Sequence, residues 1–97
     1  MSFIVDIYTR KRDIDTWDVF ARYAQDDPIQ LGIITFNDKG FNKPDPWVPR
    51  GLYDSHPMTW CSTKRDAVQM LSAKVLEHFD SALCRYGKHT WSWVKVQ

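Results

Sequence analysis

Apolar and polar residues alternate at the start of the chain. Phe3, Val5 and Ile7 fall on one side of an extended segment, and Asp6 and Tyr8 on the other. A period of two predicts a strand over residues 3–9 with one buried face. Arg10, Lys11 and Arg12 follow as a short basic connection. The period then shifts towards 3.6. Trp17, Phe20, Ala21 and Ala24 recur at i, i+3, i+4 and i+7, which predicts an amphipathic helix over residues 14–25. Asp15 takes the N-cap place, with Asp18 three residues on as the capping-box acid. Asp18 and Arg22 make an i, i+4 pair, and Pro28 ends the element.

Residues 30–36 are apolar on both faces, which predicts a central strand, and Asn37, Asp38, Lys39 and Gly40 supply turn chemistry. Residues 41–58 are punctuated by Pro44, Pro46, Pro49 and Pro57, so the stretch reads as a long ordered loop or an irregular edge strand. Met58 to Cys61 completes a short third strand. Thr63 and Asp66 form a capping box that opens a helix over residues 63–84. Its apolar stripe is Val68, Leu71, Val75, Phe79, Ala82 and Leu83, and Gly87 is its stop. Residues 89–96 close the chain as a strand, with Trp91, Trp93 and Lys95 on one face. The order β-α-β-(β)-α-β predicts an α+β fold over residues 1–97. Two helices pack on one face of a mostly antiparallel sheet, as in a ferredoxin-like sandwich.

Composition supports one domain with a modest core: 97 residues, 43% hydrophobic and 14% aromatic. The formal net charge is +1, so any charge-based function has to come from local segregation. Cys61 and Cys84 suit reduced thiols in the cytoplasm rather than a disulfide framework. Asp6 arrives before an apolar signal region can form, and no run reaches the ~20 apolar residues of a membrane span. A cytoplasmic protein with no membrane association is expected.

Candidate chemistry is sparse. His56, His78, His89, Cys61 and Cys84 lack the paired spacing of a zinc site, so no metal or cofactor is expected. A small enzyme around Asp54, His56 and Cys61 has no local signature behind it, and the expectation is a non-enzyme. Trp91 and Trp93 point the same way. On an open sheet face they would join Tyr8 as a stacking platform, with Arg10, Lys11 and Arg12 on phosphates. As core residues they would pack beneath the helices. Trp47, between Pro46 and Pro49, is either an anchor for a partner or a lid on the core.

The acidic residues are the sharpest feature. Eleven are Asp and one is Glu, and Asp13, Asp15, Asp18, Asp26 and Asp27 fall within fifteen positions. Asp13, Asp15 and Asp18 suit a helix start, whereas Asp26 and Asp27 oppose the macrodipole at its end. In length, single-domain make-up and freedom from motifs, the chain resembles the small phage- or prophage-encoded anti-CRISPR proteins. That resemblance implies stoichiometric binding to a CRISPR-Cas effector complex. The partner would be a host protein or ribonucleoprotein with a basic nucleic-acid groove. Asp13, Asp15, Asp18, Asp26 and Asp27 would mimic DNA phosphates there, and Trp47 would add apolar contact. Full DNA mimics are strongly acidic overall, so only a local mimic fits this near-neutral chain. The alternative is a single-stranded nucleic-acid-binding module that uses sheet-face aromatics and the short basic run.

Overall fold

The structure, a computed structural model, describes residues 3–37, 45–52, 59–75 and 82–93. These residues form six strands and one helix: β1 (Phe3–Asp13), β2 (Thr16–Tyr23), β3 (Ile29–Phe36), β4 (Trp47–Gly51), α1 (Lys64–Val75), β5 (Ala82–Tyr86) and β6 (His89–Trp93). The strands form one sheet in the order β4-β3-β2-β1-β5-β6, curled into a half-barrel. Its pairs are antiparallel except β1 with β5, which run parallel. The ferredoxin-like expectation of two helices on a sheet is therefore corrected to a mixed six-stranded sheet with one helix.

The largest correction falls on residues 14–25, which form a hairpin turn and strand β2 rather than a helix. Thr16, Trp17, Val19, Phe20 and Tyr23 are β-branched or aromatic types that favour strands. Their apolar positions fit a period of two as well as one of 3.6. Trp17, Val19 and Ala21 point inward, and Asp18, Phe20 and Arg22 point outward. Pairing with β1 on one side and β3 on the other decides between the periods, because it satisfies backbone groups along both edges. Asp13 and Asp15 serve the β1–β2 turn. The Ile14 amide donates to Asp13 Oδ1 at 2.7 Å, and the Thr16 hydroxyl to Asp15 Oδ1 at 3.1 Å. Asp26 and Asp27 lie in the β2–β3 connection, where the Asp26 amide donates to the Tyr23 carbonyl at 3.0 Å. There is no macrodipole for them to oppose, and aspartate suits such a turn.

The second helix starts where its cap predicts: the Asp66 amide donates to Thr63 Oγ1 at 3.0 Å. It does not reach residue 84. Residues 82–86 are β5, seated between β1 and β6, and the expected stripe residue Phe79 lies outside the described residues. Gly87 has φ +59° and, with Lys88, makes the two-residue turn between β5 and β6. The left-handed glycine that ends a helix equally opens a tight hairpin. Strand β3 sits inside the sheet order, as expected. β4 is an edge strand, and its Trp47 also bridges Cys61 through two backbone bonds.

The core lies on the face that α1 covers, here the inner face. Val5 and Ile7 of β1, Val19 and Ala21 of β2, Leu31 and Ile34 of β3, Cys84 of β5 and Trp91 of β6 are buried there with Ala67, Val68 and Leu71 of α1. The buried Ser72 hydroxyl donates back to the Val68 carbonyl at 2.7 Å. At Gly32 the β3 backbone passes so close to β4 that a Cβ would fall on the Arg50 carbonyl oxygen. Among the described residues, no helix is long and apolar enough to cross a membrane.

Candidate nucleic-acid interface

The opposite, outer face follows from the same alternation. Between the buried Val5, Ile7, Val19, Ala21, Pro49 and Cys84 stand Asp6, Asp18, Phe20, Arg22, Arg50 and Arg85, with Tyr8 and Arg10 further along β1. Register aligns these residues in rows across the sheet. Arg85, Asp6 and Arg22 form one row, and Tyr8, Phe20 and Gln30 the next. Arg10, Asp18, Ile33 and Arg50 form the third. Arg12 sits at a register irregularity of β1 and reaches the outer face by pairing with Asp18. Five of the chain's six arginines, Arg10, Arg12, Arg22, Arg50 and Arg85, thus share one face, and all five are exposed. From β5 to β4 the array spans about 19 Å at ~4.8 Å per strand. No described element packs over it: the contacts of α1 with β3 and β4 run through the inner face.

Two carboxylates share this face. Asp6 Oδ1 accepts from Arg85 Nε at 2.8 Å and Nη2 at 2.7 Å. Asp18 Oδ1 accepts from Arg12 Nη2 at 2.5 Å and from Gln30 Nε2 at 2.9 Å. Arg10, Arg22 and Arg50 have no carboxylate partner among the described residues. In the middle row Tyr8 and Phe20 stack with centroids 5.3 Å apart and planes 19° apart. The Arg10 guanidinium lies 5.4 Å from the centre of the Phe20 ring. Guanidinium is planar and weakly hydrated, so it stacks on rings and grips phosphates in a two-pronged way that an ammonium does not.

The five aspartates expected to form an acidic ridge are divided by the fold. Asp13 and Asp15 sit at one end of β2 and Asp26 and Asp27 at the other. About 23 Å of strand separates the two ends, at ~3.3 Å per residue. Asp18 lies between them, bound to Arg12 and Gln30. Trp47 turns inward and packs against Trp17 and Phe36, with centroids 5.4 and 4.9 Å away. Trp91 is also inward and buried, stacked on Tyr86, and its indole N–H meets no acceptor among the described residues. It is core, not platform. Trp93 of β6 pairs with Ala82 of β5, and its side chain lies outside the described residues, as do Asp54, His56, His78 and Lys95. Of the expected basic run, Arg10 and Arg12 face outward, whereas Lys11 lies over the inner-face Trp17.

The alternation that puts Val5 and Ile7 inward runs on through Tyr8, Arg10 and Arg12, so this part of the array has a sequence signal. Arg22, Arg50 and Arg85 have none of their own, because they sit on three other strands.

A depression of about 530 Å³ lies beside α1, lined by Asp45, Trp60, Cys61, Asp66, Gln69 and Met70 among others. Burial, and then the charges of Asp66 and Asp45, raise the Cys61 thiol above its ordinary pKa. Burial does the same to Cys84. This is the opposite direction from that of an activated thiolate. Among the described residues no group of three His, Cys, Asp or Glu side chains is placed to hold a metal ion.

Compared with known proteins, the chain matches no family model, no curated protein and no solved structure.

Proposed function

We propose that this chain binds single-stranded nucleic acid through its outer sheet face. One observation carries the reading: five arginines gather around the stacked Tyr8–Phe20 pair on a face that no described element covers. The aromatic row lies between two arginine-bearing rows. It therefore offers ring surface to an unpaired base while guanidinium groups on both sides meet the backbone phosphates. Single strands are favoured over duplex because a duplex keeps its bases stacked inside, leaving the rings only backbone to meet. A cytoplasmic location belongs to the same proposal. The inhibitor reading asks Asp13, Asp15, Asp18, Asp26 and Asp27 to present one surface, and their division between two ends of the sheet favours the nucleic-acid reading over it.

The test is fluorescence anisotropy with a fluorescein-labelled single-stranded dodecamer at low salt. Saturable binding is expected, and the triple variant Arg10→Glu, Arg22→Glu, Arg50→Glu abolishes it while retaining the native circular dichroism spectrum. A flat titration with the unaltered chain overturns the reading. If the chain instead holds a purified CRISPR-Cas effector complex, the inhibitor reading takes its place.

A further inference from the structure

The outer face carries five guanidinium groups, but they are not equivalent. Arg85 directs two nitrogens at a single oxygen of Asp6. Arg12 is held by Asp18, whose side chain is only 15% exposed and is steadied by Gln30. Arg10 leans on a ring, and Arg22 and Arg50 stand without a carboxylate partner among the described residues. These three arginines surround the aromatic row: Arg22 follows Phe20 by two positions on β2, and Arg10 follows Tyr8 by two on β1. Residues two apart on a strand project about 6.8 Å from one another. Arg50 sits across the sheet from Arg10, three strands away.

We infer that the site meets about three phosphates, through Arg10, Arg22 and Arg50, and that Asp6 and Asp18 withhold Arg85 and Arg12 from the ligand. This rests on the nucleic-acid reading above and goes further in assigning its contacts. A carboxylate within hydrogen-bond distance of a guanidinium occupies the donors that a phosphate would use. The two acids therefore act as internal competitors, which keeps the footprint short and the affinity low. Converting either one to its amide removes the competing charge and adds a contact. Asparagine in place of Asp18 still offers an oxygen to Gln30, so the surrounding geometry is kept.

Salt dependence reads the contact number directly. For single strands the slope of log K against log salt is about −0.7 per phosphate contacted, so three contacts give about −2.1 and five give about −3.5. The experiment titrates fluorescein-labelled dodecathymidylate with the full chain from about 25 to about 200 mM salt. The unaltered chain is expected near the shallower slope. Arg22→Ala makes the slope shallower by about 0.7, and Asp6→Asn and Asp18→Asn each make it steeper by about 0.7. For pure counterion release, each of those steeper slopes corresponds to roughly eightfold tighter binding at about 50 mM salt. Asp66→Asn makes the same change of charge in the first turn of α1, away from the outer face, and is expected to leave the slope of the unaltered chain, which separates a released arginine from a general change in charge.

A slope near −3.5 for the unaltered chain overturns the inference, as does an unchanged slope in both amide variants. Either outcome leaves the nucleic-acid reading standing, because binding is still seen. A flat titration of the unaltered chain overturns both together.

Discussion

The inner and outer faces of the sheet are built from the same strands, one residue apart. The inner face is lined by Val5, Ile7, Val19, Ala21, Ile34, Cys84 and Trp91, closed over β3 and β4 by Val68 and Leu71 of α1. The outer face carries Asp6, Tyr8, Arg10, Asp18, Phe20, Arg22, Arg50 and Arg85, and no described element covers it. One face gains its free energy from burying apolar surface, at roughly 25 cal/mol per Å². The other gains little from its own contacts. An exposed pair such as Arg85–Asp6 contributes only about 0–1 kcal/mol. On the proposed function, stability and binding are thus separable by parity along a strand. A change on the inner face acts on folding, and a change at the next residue acts on the surface offered to a ligand.

The strongest challenge to this separation is Leu71→Ala. Leu71 is fully buried beneath the sheet, so a loss of about 2–5 kcal/mol in urea unfolding is expected. The molecules that remain folded should bind the dodecamer as before. Gly32→Ala comes next. Its Cβ has to displace the Arg50 carbonyl and part β3 from β4. Overpacking of this kind costs about 1–3 kcal/mol, which a lowered urea midpoint would record. Because Arg50 is on the strand that moves, this variant is also the one most expected to disturb both faces together.

On the outer face, Phe20→Ala removes one ring of the stacked pair. Loss of a base-stacking contact lowers affinity by about 1–3 kcal/mol, roughly five- to 150-fold. The melting temperature should shift only by what the ring pair contributes, about 0.5–1.5 kcal/mol. An unchanged dissociation constant would remove the aromatic row from the site.

Alkaline pH probes the inner face through its two buried thiols. Cys61 and Cys84 have thiol pKa values raised above the ordinary 9.0. Between that value and the folded one, the unfolded chain releases protons that the folded chain keeps, so stability falls as pH rises. Urea midpoints should be level below about pH 8.5 and decline above it, and Cys84→Ala should flatten part of the decline. Both thiols are buried in the inner-face core, so their ionisation is expected to act on folding and not on binding by the folded protein.

The smallest effect is expected at Ala24, whose φ of 54° is left-handed. An L-residue there costs roughly 1–2 kcal/mol, and glycine gives back part of that through its freer unfolded state. Ala24→Gly should therefore stabilise the fold by a few tenths of a kcal/mol, visible as a slightly higher melting temperature, with binding unchanged.

Several features were legible from local sequence because local physics decides them. Alternation alone marks β1. Thr63 caps α1 because its hydroxyl meets an amide only three residues away. The run over residues 30–36, apolar on both faces, is readable as a strand for the same reason. Residues 16–23 were not legible, since their apolar positions satisfy a strand and a helix equally. Only hydrogen bonds to β1 and β3, made across the chain, select between them. Residues 82–84 were misread for a related reason: the apolar spacing that opens in α1 runs on in sequence to Ala82 and Leu83, yet their partners are β1 and β6.

The candidate site divides in the same way. Tyr8, Arg10 and Arg12 share a face by simple parity within one strand. Arg22, Arg50 and Arg85 join them only after five strands have paired in register. The clustered aspartates show the converse, since neighbours in sequence are carried to opposite ends of β2 by the strand between them. Sequence by itself determined which side chains carry charge and how each short segment alternates. Tertiary structure decided which charges stand together, because strand pairing joins residues that are far apart along the chain and a strand holds apart residues that are close.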